Sequence, residues 1–130
     1  MSISENEIAE IVLDKAFKIH RKLGAGLLES VYERLLCYEL QKEGLLVQSQ
    51  VPITIMYDDL EIDNAFRADL VVNNKVILEI KSLERINNAH KKQLLTYLKL
   101  SGLKLGLLLN FGSSLLKNGI VRTVNNLPEN

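Results

Sequence analysis

Between Ala65 and Lys81 the chain reads AFRADLVVNNKVILEIK, two alternating runs separated by a polar turn, and this alternation restricts the fold more than any other stretch. Side chains along a strand point to opposite faces in turn. Phe66, Ala68, Leu70 and Val72 therefore form one face of the first run, and Val76, Leu78 and Ile80 one face of the second. A two-residue turn at Asn73 and Asn74 suits the tolerance of Asn for left-handed backbone. It pairs Val72 with Lys75 and Asp69 with Leu78, however, mixing polar and apolar faces along the whole ladder. A three-residue turn, Asn73 to Lys75, pairs Val72 with Val76, Leu70 with Leu78 and Ala68 with Ile80, and a bulge would give the same parity. The expectation is an odd loop or a bulge, with Asp69 across from Glu79 and Arg67 across from Lys81.

Like charges in opposed strand positions destabilise a sheet, so Asp69 and Glu79 call for a cation. Lys81 meets part of that need. A divalent ion such as Mg2+ takes oxygen ligands and keeps several waters, and would use both acids. A salt-bridged surface without an ion is the plainer alternative.

At 130 residues, 47% hydrophobic and 25% charged, the chain fits a single domain, residues 1–130, with one core. Cys37 is the sole cysteine, which excludes an intrachain disulfide and fits a core position in a reduced compartment. The N-terminal MSISENEIAE is acidic where a signal peptide is basic and then apolar. The longest apolar run, Leu105 to Leu109, is too short to span a bilayer. The expectation is a soluble, cytoplasmic chain with no membrane partner. Sixteen basic and sixteen acidic residues give a net charge of zero. That counts against nonspecific nucleic-acid coating through overall basicity and leaves room for a local basic patch.

Ser4 followed by Glu7 is a capping-box pattern, and it opens an amphipathic helix to about Leu23 with Ile8, Val12, Ile19 and Leu23 near one face. Lys15, Lys18 and Lys22 form a second stripe, read as a solvated face or a phosphate contact. His20 has no second His at helical spacing and reads as local structure. Gly24, Ala25 and Gly26 break the periodicity. Leu28, Val31, Leu35 and Tyr38 resume it in a second helix closed by Gly44, with Glu29 in its first turn and Tyr32 and Glu33 one turn on. Leu45 to Tyr57 reads as a strand in which Pro52 marks an edge or a bulge. Asp58 and Asp59 turn the chain, and Leu60 to Ile62 continue toward Ala65, giving a three-strand meander. A third helix, Ala89 to Leu100, carries Leu94, Leu95 and Leu98 on one stripe and His90, Gln93 and Tyr97 on another, with Lys91, Lys92 and Lys99 also on its surface. Gly102 ends it. The run LGLLLNF within Lys104 to Phe111 reads as a buried strand entered by a helical crossover, which allows parallel pairing. A loop from Gly112 to Gly119 and a last strand, Ile120 to Val124, follow, with a frayed end from Pro128.

The segment Gly26-Leu27-Leu28-Glu29-Ser30-Val31-Tyr32 is similar to the signature of the GxxExxY proteins, which are grouped with the PD-(D/E)XK nuclease-like superfamily. RADLVV, ILEIKS, HKKQLLTYLK and GLLLNFG extend the resemblance over nearly the whole chain. It implies a restriction-endonuclease-like α/β fold, a mixed central sheet flanked by helices in the order α-α-β-β-β-α-β-β. It also implies Glu29 as a helix-borne acid, Asp69 as a metal-ligand acid, and Glu79 and Lys81 as the E-x-K pair, with Gln93 and Tyr97 completing the site. Ala68 stands where the superfamily's name has Pro.

The implied activity is hydrolysis of phosphodiester bonds in DNA or RNA with Mg2+ or Mn2+ held by Asp69, Glu79 and Glu29. Lys81 would orient water or stabilise developing charge, and Gln93 and Tyr97 would position phosphate. Tyr32 and Gly26 are expected to fix the second helix rather than do chemistry. The competing reading is a catalytically silent module on the same fold that binds nucleic acid or protein. In either case a homodimer or a protein partner would help a small, uncharged domain grip its substrate.

Overall fold

The computed structural model describes residues 2–128. Two helices, α1 (Glu5–Leu23) and α2 (Glu29–Lys42), precede strands β1 (Val47–Tyr57), β2 (Leu60–Val72) and β3 (Val76–Lys81). Helix α3 (Asn88–Ser101) then leads to β4 (Leu105–Asn110), a single 3-10 turn at Leu116–Gly119, and β5 (Ile120–Val124). The five strands form one sheet in the order β1-β2-β3-β4-β5. β3 and β4 are parallel and the other neighbours antiparallel. This is the α/β order read from the sequence, and the crossover through α3 is what makes the β3–β4 pair parallel.

Local signals set the element ends. Ser4 and Glu7 form a complete capping box at α1, and Asn87 and His90 form an equivalent one at α3. The His90 ring is therefore spent on the Asn87 amide. Gly102 closes α3 at a φ of +77°, in the left-handed region that a side chain would disfavour. The three-residue turn at Asn73–Lys75 is as expected: Asn73 and Asn74 both have positive φ, and the Lys75 amide donates to the Val72 carbonyl at 2.9 Å. The fraying expected after Pro128 concerns Glu129 and Asn130, which lie outside the described residues.

Two apolar layers sandwich the sheet. On one side Ile8, Val12 and Ala16 of α1 and Tyr32, Leu36 and Leu40 of α2 pack over Leu70, Leu78, Ile80, Leu107 and Leu109. On the other, Leu94, Tyr97 and Leu98 of α3 pack over Val71, Ile77 and Leu108. β4 is buried along its whole length, as its uninterrupted apolar run requires. A Cβ on Gly106 would stand 2.8 Å from the Leu94 side chain, so the glycine is what lets α3 lie this close. Truncating a fully buried residue such as Leu36 to Ala is worth about 2–5 kcal/mol.

Three sequence expectations are corrected. The stripe Leu28, Val31, Leu35, Tyr38 is not the buried face of α2: Leu28, Val31 and Tyr38 are exposed, and the core takes Tyr32, Leu36 and Leu40. Aromatic Tyr32 wins the inward position because its ring stacks on Phe111 at 4.4 Å while its hydroxyl remains hydrogen-bonded. The lysine stripe of α1 is solvated only in part, since Lys15 pairs with Glu43 and Lys18 with Glu39 across the α1–α2 contact while Lys22 is exposed and in no ion pair among the described residues. Finally, Phe66 and Ala68 do not share a face with Leu70 and Val72. They join the α3 layer, while Leu70 and Val72 join the α1–α2 layer. Ala68 consequently does not pair with Ile80, nor Arg67 with Lys81, in a ladder that runs only from Val72–Val76 to Leu70–Leu78.

The change of face coincides with a break in the β1–β2 ladder. Gln50 has a φ of +52°, and the β1–β2 ladder omits it and Asp69 between Ser49–Leu70 and Val51–Ala68 while keeping its register, which shifts only further on, between Ile53 and Ile55. β1 lies at the edge of the sheet, where both the irregularity and Pro52 are tolerated.

Candidate functional site

Where the β2–β3 ladder ends, carboxylates replace backbone carbonyls as acceptors. The Asp69 amide donates to Glu79 Oε2 at 2.9 Å, and the Ile80 amide donates to Asp69 Oδ2 at 2.8 Å. Each acid thus satisfies a backbone donor that the interrupted ladder leaves over, and each is held by the other's strand. Glu79 is only 6% exposed. Burial, and then the neighbouring Asp69 charge, push its carboxyl up to about 8, against the pull of the Asp69 amide and the Lys81 ammonium. Lys81, the last residue of β3, is half-buried two positions on.

Helix α2 contributes an acid to this cluster, and it is Glu33 whose charge bears on both Glu79 and Asp69. Its carboxylate accepts from Ser49 Oγ and from Gln50 Nε2, each at 2.9 Å. Gln50 Nε2 also approaches Asp69 Oδ1 at 3.5 Å, so the residue that interrupts β1 spans the two acids. Burial, together with the Asp69 and Glu29 charges, raises the Glu33 carboxyl above its ordinary value despite the Ser49 and Gln50 hydrogen bonds. Glu29, one helical turn earlier, is half-buried and acts on Glu33 through its charge.

From α3, Tyr97 reaches the cluster. Its ring stacks on Phe66 at 3.7 Å, and its hydroxyl is raised above the usual phenol range by burial and then by Glu79 and Asp69. Gln93, one turn before it, is exposed. The structure therefore brings Asp69, Glu79, Lys81 and Tyr97 into one electrostatic neighbourhood and leaves Glu29 and Gln93 at its margin.

Glu33, Ser49 and Gln50 were not singled out from the sequence. For Glu33 a signal existed, because it lies four residues after Glu29 on the same helical face. For Gln50 none did, since its role follows from a strand interruption that only pairing with β2 creates.

Asn110 holds the end of β3 from the neighbouring strand. It is fully buried, paired with Lys81 across the sheet, and accepts from the Leu83 amide at 2.8 Å while donating to the Leu83 carbonyl at 2.9 Å. Gly112 must be a glycine here, since a Cβ would stand 2.3 Å from the Leu83 carbonyl oxygen. Tyr32 performs the matching task on the other side. Its hydroxyl donates to the Gly24 carbonyl and accepts from the Leu27 amide, and Ser82 Oγ donates to the Leu27 carbonyl. The α1–α2 loop is thereby tied to the residue that follows Lys81.

Among the described residues no group of three or more acidic, His or Cys side chains is arranged to hold a metal ion. The donor set nevertheless fits a hard divalent cation. Asp69 and Glu79 offer only oxygens, each has one carboxylate oxygen not bonded to backbone, and Mg2+ is commonly held by one or two carboxylates with water and substrate phosphate supplying the rest. Glu29 does not complete a three-acid set with them.

No helix among the described residues is long and apolar enough to cross a membrane. No curated protein and no solved structure matches the chain at a significant level. The sequence pattern of the PD-(D/E)XK nuclease superfamily matches residues 6–123, which takes in both helices before the sheet, all four candidate residues of the cluster, and the start of the final strand. With that match spanning most of its length, the chain belongs to the PD-(D/E)XK nuclease superfamily.

Proposed function

We propose that this protein is a metal-dependent nuclease of the GxxExxY type that hydrolyses phosphodiester bonds in DNA or RNA. The observation that carries the reading is the reciprocal seating of Asp69 and Glu79 on each other's strands beside Lys81. Asp69 and Glu79 would hold Mg2+ or Mn2+, with the α2 acids Glu33 and Glu29 bearing on the same charge. When bound, such an ion offsets negative charge on the scissile phosphate and acidifies water. Lys81 places an ammonium where charge develops on the phosphate, and a fixed donor there is worth most in a partly desolvated site. Tyr97 and Gln93 present a hydroxyl and an amide on one face of α3, suited to holding a phosphate oxygen or a sugar.

The test is cleavage of supercoiled plasmid and of single-stranded DNA and RNA by purified protein with Mg2+ or Mn2+. Loss of cutting in Asp69→Ala and Lys81→Ala, with unchanged folding by circular dichroism, supports the proposal. Cutting that survives both substitutions, or wild-type protein inert toward every substrate and metal, overturns it.

One feature favours a second reading, a silent binding module. With its carboxyl raised to about 8, Glu79 carries a proton at neutral pH and forms a self-contained acid pair with Asp69. Calorimetric titration with Mg2+ at pH 8 tests this closed acid pair, which gives no heat of binding, and the cleavage assay separates a module that binds the ion without cutting.

A further inference from the structure

A cavity of about 550 Å3 opens between the β3–α3 connector and the β4–β5 loop, at the carboxyl ends of the parallel pair β3 and β4. In open α/β sheets this is where ligands bind. Two cations line it, Arg85 from the connector and Lys91 from the first turns of α3, against one acid, Glu84. Both cations are exposed, and none of the ion pairs among the described residues involves either. The pairs that do form use Lys15 and Lys18 on α1 instead. Ser114 and Asn118 add neutral hydrogen-bonding groups from the opposite wall, and Val121 contributes to an apolar floor.

The cavity is mechanically joined to the acid cluster. Asn110 pairs with Lys81, grips Leu83 at both its amide and its carbonyl, and donates to Ser113 Oγ on the cavity wall. Arg85 follows Lys81 by four positions, a separation of at most about 14 Å at full extension. One polynucleotide strand can touch both places. The volume lies within the roughly 300–1,000 Å3 range of small-molecule pockets, enough for a nucleotide unit.

We propose that this cavity is a subsite for a nucleotide flanking the cleaved bond. Arg85 and Lys91 take its backbone phosphate, Ser114 and Asn118 take polar edges, and the apolar floor takes the sugar or base. The assignment rests on the nuclease reading for its ligand class and does not depend on turnover.

Fluorescence anisotropy with a labelled single-stranded DNA oligonucleotide, in EDTA and across a salt series, tests it. Arg85→Ala/Lys91→Ala is expected to weaken binding about tenfold or more at low salt and to reduce the slope of log K against log salt by about one to two. Lys42→Ala on α2 leaves both unchanged. If the double variant melts lower than wild type, Lys91→Glu alone, at an exposed position, must still weaken binding. An unchanged affinity and slope in these variants, or no binding by the wild type, overturns the subsite. Arg85- and Lys91-dependent binding by a protein that cuts nothing removes the nuclease reading and keeps the cavity as a nucleotide-binding site. Cutting abolished by Asp69→Ala, with binding indifferent to Arg85 and Lys91, does the reverse.

Discussion

Asp69 and Glu79 are each fastened to the strand that carries the other: the amide of Asp69 donates to the Glu79 carboxylate at 2.9 Å, and the amide next to Glu79, that of Ile80, donates to the Asp69 carboxylate at 2.8 Å. Two acids that should repel are thus held together by backbone donors. The cost falls on Glu79, which is buried and holds its proton up to about pH 8.

That cost predicts a pH-dependent stability. Folded Glu79 binds a proton more tightly than an unfolded glutamate of ordinary value 4.5, so between pH 4.5 and about 8 the native state holds the extra proton and stability falls as pH rises. A carboxyl raised from 4.5 to about 8 corresponds to a loss on the order of 5 kcal/mol across that range. Glu79→Gln is expected to flatten this part of the profile and to be the more stable protein at pH 8.5. Urea denaturation at pH 5 and pH 8.5 measures it, and parallel profiles for the two proteins would count against the buried charge.

Protons and a divalent ion compete for the same carboxylates. Mg2+ is therefore expected to raise the melting temperature at pH 8 and to do much less at pH 5. At a hundredfold excess over its dissociation constant it adds about 2.7 kcal/mol. Asp69→Asn and Glu79→Gln should each remove most of the shift. Differential scanning fluorimetry with and without Mg2+ reads it directly, and an equal shift at both pH values would point to binding elsewhere.

Tyr32, the final residue of the GxxExxY-like segment, is expected to matter for folding and not for chemistry. Tyr32→Phe keeps the stack on Phe111 and deletes the hydroxyl that joins Gly24 to Leu27. The expected cost is about 1–3 kcal/mol in denaturant melts. Cleavage per folded molecule should stay within about twofold of wild type, because the hydroxyl touches only the α1–α2 loop. A large fall in turnover with unchanged stability would reverse this assignment.

Asn110→Ala leaves the amide and carbonyl of Leu83 without their partner in a part-buried setting. At the lower end of the roughly 1–3 kcal/mol per orphaned group, because water reaches part of this site, the variant should lose about 2–3 kcal/mol. Lys81 sits directly across from this residue, so cutting measured well below the melting point should also fall. Activity that tracks only the folded fraction would show that Asn110 does no more than support the fold.

Most of the architecture was legible because its causes are local. Ser4 and Glu7 cap a helix wherever they occur, and Asn73 and Asn74 accept the positive φ that a three-residue turn imposes. The LGLLLNF run has no polar face to expose and so must lie inside the sheet. Asp69 and Glu79, expected as an opposed ladder pair, instead meet just past the last paired position, Leu70–Leu78, through hydrogen bonds from backbone amides to their carboxylates. Strand parity failed at Phe66 and Ala68, where the change of face coincides with a break in the β1–β2 ladder. The inward face of α2 was misread because Leu28 and Tyr38 are apolar enough to pass for core. Only the position of Phe111 and the Gly24 loop decides that Tyr32 turns in.

Spacing and residue type along the chain were enough to specify the elements and their order, because each depends on neighbours a few positions away. Packing alone settled that Glu33, held by Ser49 and Gln50, bears on Glu79 by its charge, that Lys15 and Lys18 pair with Glu43 and Glu39, and that Arg85 and Lys91 share a cavity with the β4–β5 loop. Those relationships join residues brought together only by the closed sheet, and no local preference encodes them.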